Sequence, residues 1–228
     1  MPAWLTILNE EVVTCRRCPR LVEYRERIAR EKRRAYRDQE YWGRGVPGFG
    51  DTNAAVLVLG LAPGAHGSNR TGRPFTGDGS GNFMYPVLHR TGFASQPNGT
   101  HRGDGMKLTG LYITAAVRCA PPANKPTPEE IGNCSGFLDR ELKGLKRVRV
   151  VVALGRIGFD AYLGYLKRQG FAVRKADYEF AHGRHYGMPD GRILLVSFHP
   201  SLQNTNTGRL TEEMFTSIFR TARKLAEM

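Results

Sequence analysis

Four segments of the chain are apolar and rich in β-branched residues with no polar alternation: AAVLVLG (54–60), LYITAAV (111–117), VRVVVALG (148–155) and RILLVSF (192–198). Runs of this texture predict strands buried on both faces. Amphipathic stretches lie between and after them. The pattern predicts helices over about 79–91, about 128–146 (opened by Pro128, Glu129 and Glu130), about 156–169 and about 211–227 (opened by Thr211, Glu212 and Glu213). Upstream, residues 3–13 suit a short helix. Residues 21–38 suit a longer one, with Leu21, Tyr24, Ile28 and Tyr36 at roughly helical spacing. Strands alternating with helices predict a three-layer α/β/α fold around a central, mostly parallel sheet of about four strands. The expected organisation is one domain over 1–228, with a basic helical region over about 1–45 at its start.

Such a sheet places ligands beyond the carboxyl ends of its strands. The distinctive residues follow strands. Gly60-Leu61-Ala62-Pro63-Gly64 comes after the first, Arg118-Cys119 after the second and His199-Pro200-Ser201 after the fourth. The stretch 60–81, GLAPGAHGSNRTGRPFTGDGSG, holds seven glycines, which permit close backbone approach to a ligand. It is neither a Walker A loop nor a dinucleotide fingerprint. It embeds Phe75 and, shortly after, Asp78, a residue equally suited to capping the next helix.

Charge adds a partner. Lys and Arg total 34 against 21 Asp and Glu, a net charge of +13. A chain this basic repels its own copies, consistent with a monomer, and attracts a polyanion such as nucleic acid. Between Arg16 and Arg37 stand ten basic residues and three Glu, about half of the excess. No segment approaches a membrane span. The opening MPAWLTILNEEVVTC lacks the basic start of a secretory signal. Four cysteines are too few for a disulfide scaffold, so a reducing cytoplasmic setting is expected. They fall as Cys15-x-x-Cys18, then Cys119 and Cys134. Spacing alone leaves zinc, an iron–sulfur cluster and unligated thiols open.

Taken together, CRRCPRL (15–21), the 60–81 block, TAAVRCAPPANKP (114–126), Cys134 and HPSLQNTNTGRLT (199–211) resemble the iron–sulfur uracil-DNA glycosylases, in their type B, or family 5, branch. Leu61 and Ala115 stand where the related type A branch has Glu and Asn, so two polar groups of that branch are missing. The resemblance implies a monofunctional DNA-repair enzyme. It would flip a damaged base out of DNA and hydrolyse its N-glycosidic bond, on uracil and other deaminated bases such as hypoxanthine. It implies a [4Fe–4S] cluster on Cys15, Cys18, Cys119 and Cys134. It also implies Asp78 and His199 as catalytic residues, the first for water or the cationic sugar and the second for the departing base. A base-binding pocket is expected from Gly60, Leu61, Ala62, Gly64, His66, Phe75, Ala115 and Asn124. DNA contacts are expected from Ser201, Leu202, Asn204, Asn206 and Arg209, with Leu202 filling the gap in the stack. The competing reading is a non-catalytic DNA-binding module whose cluster or zinc is structural.

Overall fold

The four apolar runs form the four central strands of a computed structural model that describes all 228 residues. They are β2 (Val56–Gly60), β3 (Leu111–Ala115), β4 (Val150–Leu154) and β6 (Ile193–Ser197). Their sheet order is β3-β2-β4-β6, all parallel. Two short strands, β1 (Phe49–Gly50) and β5 (His185–Gly187), add antiparallel edges and bring the sheet to six strands. Two and three residues are too few to show a period, which is why the hydrophobic pattern did not reveal them.

Alternate strand residues serve two cores. Val56, Val58, Ile113 and Val152 face α4 (Gly79–Arg90) and α8 (Glu212–Leu225), packing with Met84, Leu88, Phe215 and Phe219. Leu57, Leu59, Tyr112 and Val151 face the opposite layer, packing with Phe137 and Leu138 of α5 (Pro128–Gly144) and Phe159 and Tyr162 of α6 (Gly155–Arg168). Leu5 and Leu8 of α1 (Ala3–Thr14) and Leu21 of α2 (Pro19–Glu31) join that second layer. The three-layer α/β/α architecture follows directly from strands apolar on both sides. No helix is long and apolar enough to cross a membrane.

Helix starts obey local chemistry. Thr127 Oγ1 accepts from the Glu130 amide at 3.2 Å while the Glu130 carboxylate accepts from the Thr127 amide at 2.7 Å, a reciprocal cap for α5. Thr211 caps α8 through the Met214 amide.

The basic segment 21–38 is not one helix. α2 stops at Glu31, Lys32 takes a φ of +54°, and only a single 3₁₀ turn follows over Arg34–Tyr36. Tertiary bonds redirect the chain. The Arg33 amide donates to the Tyr41 hydroxyl at 3.3 Å, and the returning Trp42 and Gly43 amides donate to the Arg70 and Asn69 carbonyls. Tyr36, at helical spacing in the sequence, instead lies under the Arg70 guanidinium, 4.0 Å from its ring centroid. Two short helices also escape the periodicity: α3 (Ser68–Thr71) and α7 (Leu202–Asn206), which sits in the polar run after His199.

Candidate active site and cysteine pocket

The loops after β2, β3 and β6 meet at the carboxyl rim of the sheet around a cavity of about 570 Å³. That size is ordinary for a small-molecule site. Its walls include Gly60, Leu61, Ala62, Gly64, Phe75, Asp78, Ala115, Asn124, His199, Ser201 and Leu202.

Backbone shape places the two rings. Phe75 is a non-glycine residue at φ +50°, and a Cβ on Gly60 would come within 3.2 Å of its ring. Glycine at the end of β2 leaves that space to the ring, which a side chain there would push back by a few tenths of an ångström. The strained turn is braced from behind. Tyr85 Oη donates to the Pro74 carbonyl at 3.0 Å, and Arg73 Nε donates to Thr76 Oγ1 at 2.9 Å. The Phe75 and His199 ring centroids are 5.9 Å apart at an angle of 33°. A heterocycle between two rings would need about 7 Å, two stacking contacts of about 3.5 Å each. The two rings therefore form one continuous wall.

Asp78 holds two positions in one side chain. Oδ1 accepts from the Gly81 amide at 3.0 Å and caps α4, as its place before the helix suggested. Oδ2 lies against the turn at Gly64 and Gly67, where a Cβ on Gly67 would overlap the carboxylate. Burial raises the Asp78 pKa, and the Gly81 and Ser80 amides and the Arg70 charge pull it back. His199 is held through its main chain, whose carbonyl accepts from Asn204 Nδ2 at 2.8 Å. Burial lowers its pKa to about 4. Near neutral pH the imidazole is therefore uncharged, a hydrogen-bond donor that adds no positive charge. Gly155, at φ +77°, leaves room for it, since a Cβ there would be 3.3 Å from the His199 Cβ.

His66, Asn204, Asn206 and Arg209 lie outside the cavity wall. His66 Nδ1 pairs with Tyr41 Oη at 3.0 Å, and burial together with the Arg33 and Arg70 charges lowers its pKa. Asn204, half-buried, supports the His199 main chain through the bond to its carbonyl. Arg209 is exposed and stacks over Phe198, 4.7 Å from its ring centroid. Asn206 is exposed on α7, outside the wall. Ser201 caps α7, and Leu202 beside it is 57% exposed at the cavity mouth, against Gly79.

The sequence reading did not include Val46, Pro47, Ser80, Thr114 and Gln203, which also line the wall, as does Arg118, named there only as a residue following a strand. Val46 arrives through its amide, bonded to the Arg118 carbonyl at 2.7 Å. No local motif signals that long-range pairing.

A second, narrow cavity sits on the α5 side. Cys15, Cys18, Cys119 and Cys134 all line it, with Leu21, Val22, Val117, Asn133 and Phe137. Nothing in that wall offers a carboxylate or imidazole. Nowhere in the molecule do three His, Cys, Asp or Glu side chains converge closely enough to hold a single metal ion. A wall of four thiols is a donor set that fits zinc or an iron–sulfur cluster. Burial pushes the Cys134 thiol up to about 12 and raises Cys119, while the Arg118 and Arg25 charges oppose those shifts. Arg118 belongs to the walls of both cavities. Its amide donates to Cys134 Sγ at 3.3 Å, and its guanidinium grips the buried Glu141 at 3.0 and 2.5 Å. Thr114 Oγ1 donates to the same carboxylate at 2.6 Å.

An aromatic wall, a neutral imidazole and a buried carboxylate share this cavity at the rim of the parallel sheet. The class follows from comparison with known proteins: the sequence profile of the Uracil DNA glycosylase superfamily matches residues 47–223, and the chain belongs to that superfamily. Within it the chain is similar to proteins named Type-5 uracil-DNA glycosylase. That of Thermus thermophilus is 55% identical, over 95% of this chain and 96% of the relative. Those of Mycobacterium leprae and Pyrobaculum aerophilum are 49% and 44% identical, each over 96% of this chain and over 94% and 92% of the relatives. A Type-4 uracil-DNA glycosylase of Pyrobaculum aerophilum is further off, 29% identical over 85% of this chain and 81% of the relative.

Proposed function

We propose that this chain is a monofunctional uracil-DNA glycosylase, one catalytic domain acting as a monomer, that removes uracil and other deaminated bases such as hypoxanthine from DNA. The observation that carries the reading is the shared cavity of Phe75, Asp78 and His199 at the carboxyl rim of the sheet.

A base inside a duplex is out of reach, so the target nucleotide swings out into the cavity. Phe75 stacks on it. Leu202, exposed at the mouth, fills the space the base leaves. Ser201 and Arg209 contact the nearby backbone, and the basic 16–37 region adds long-range attraction to phosphate. As the C1′–N bond breaks, its electron pair leaves with the base, and positive charge develops on the sugar. His199, uncharged near neutral pH, donates a hydrogen bond to the base oxygen on which negative charge collects. Asp78 faces the cationic sugar and orients a water whose oxygen bonds to C1′. That water's proton passes to the carboxylate and then to solvent. The departing base anion takes up a proton from solvent, and the products are the free base and an abasic site. No lysine lines the cavity to attack the sugar, so the backbone strand stays intact.

Base choice follows from what the walls lack. Leu61 and Ala115 present no polar side chain to the base edge. Few fixed donors and acceptors admit bases of differing edge pattern, and Asn124 at the rim is the adjustable partner. Cys15, Cys18, Cys119 and Cys134 would hold a [4Fe–4S] cluster. When bound, that group supplies a cross-link between the basic N-terminal helices and the sheet, with one-electron capacity.

The test is a base-release panel on duplex and single-stranded DNA carrying uracil or hypoxanthine. Expected are free base and alkali-labile abasic sites, without strand cleavage before alkali. DNA bound with no base released would convert the reading to a non-catalytic binding module.

A further inference from the structure

Arg25, on α2, is 2% exposed. Its guanidinium donates to Cys119 Sγ at 2.9 Å and to the Cys15 carbonyl at 2.9 Å, and its Nε is buried with no partner. The contrast with the other buried arginines is sharp. Arg118 grips Glu141 and Arg73 grips Asp104. Arg70 has two carbonyls, the Gln39 amide and the Tyr36 ring. Arg25 has one carbonyl and one sulfur, and no carboxylate within ion-pair distance. Its neighbour Glu26 is engaged by Arg16 at 2.5 Å.

A guanidinium keeps its proton in proteins. Burying that charge without a counter-charge is strongly unfavourable. The one anion-capable group it touches is Cys119, a wall residue of the cysteine cavity. The residue is also locked in place from the other side. Its carbonyl accepts from Asn69 Nδ2 at 3.2 Å, and the Asn69 amide donates to the Gly64 carbonyl at 3.0 Å, in the wall of the base cavity.

We infer that Arg25 is the built-in counter-ion of the anionic centre held by the four cysteines, and that through Cys119 it sets that centre's retention and reduction potential. The inference rests on the iron–sulfur reading given above. A fixed positive charge and an N–H···S bond favour the more reduced, more negative form of such a centre, so they raise its potential.

The experiment uses the full iron-loaded chain, purified without oxygen, as wild type, Arg25→Lys and Arg25→Gln. Iron and labile-sulfide content are measured first, then the midpoint potential by voltammetry, then the rate at which a chelator strips iron. Expected for Arg25→Gln is a lower midpoint and iron loss faster by about tenfold or more. Arg25→Lys keeps the charge but cannot reach both Cys119 and the Cys15 carbonyl. It should have a midpoint between the other two and faster iron loss than wild type. Arg25→Gln matching wild type in both midpoint and iron loss overturns the proposal. Should the glutamine chain not fold, an iron-loaded lysine variant that loses iron no faster than wild type overturns it equally. Iron-free wild-type protein would defeat the cluster reading itself and take this inference with it, an outcome plainly different from a loaded protein indifferent to Arg25.

Discussion

The two cavities share Arg118 as a wall residue and are built on opposite principles. The base cavity is shaped by backbone. Glycines at 60, 64 and 67 clear space for Phe75 and Asp78, Phe75 itself stands at positive φ, and the one titratable ring in the wall is neutral. The cysteine cavity is shaped by charge. Arg25 sends its buried guanidinium to Cys119 Sγ, while buried Arg118 donates its main-chain amide to Cys134 Sγ and turns its guanidinium to Glu141. The difference shows what each needs. On the proposed function the first has to admit and release a base, and it stays wide and polar at selected points only. The second would hold a permanent group, and it is narrow and bordered by buried positive charge.

The largest effect that would separate the two concerns their shared residue. Glu141→Ala leaves Arg118 buried without a carboxylate and should lower unfolding stability by about 3–5 kcal/mol. Urea denaturation of the iron-loaded protein measures it. A loss below 1 kcal/mol, roughly the value of a surface pair, would mean that the pair does not tie the cavities together.

Next comes His199→Ala, on the base side alone. Loss of a donor to the developing anion should slow single-turnover uracil release by a factor corresponding to about 3–4 kcal/mol. DNA affinity and iron content should stay near wild type. An unchanged rate would remove His199 from the chemistry and leave the cysteine cavity untouched.

The smallest effect is an expected absence of one. His199 has its pKa lowered to about 4, so no charge change occurs there between pH 5 and 8. The rate should show no step near pH 6.5, the ordinary histidine value. It should fall on the acid side as Asp78, whose pKa is raised by burial, takes up its proton. A step near 6.5 that disappears in His199→Ala would show that the imidazole titrates in water-like surroundings. That would remove the contrast between an uncharged base cavity and a charge-balanced cysteine cavity.

Much of this was readable before any coordinates. The four central strands appear within two residues of their apolar runs, because a strand buried on both faces carries its burial in every residue. The helices over 79–91, 128–146, 156–169 and 211–227 are likewise found as α4, α5, α6 and α8. Most of the expected pocket was legible for a related reason: in a parallel sheet, residues just after strands share one rim whatever the loops do. His66 was the exception. It lies in the same glycine-rich loop, and nothing local says that Tyr41, twenty-five positions upstream, will take its ring nitrogen.

What the chain order alone determined is therefore the layered frame, the rim on which the candidate site residues gather and the excess of positive charge. These depend on periodicity and composition, which are local or additive. Folding in three dimensions decided where the basic segment breaks at Lys32, that Asn204 supports His199, and that Arg25 and Arg118 close around the cysteines. Each of these is a contact between residues distant in sequence or set by how a loop turns. Its energy exists only once burial has removed water and made an unanswered hydrogen bond or charge intolerable.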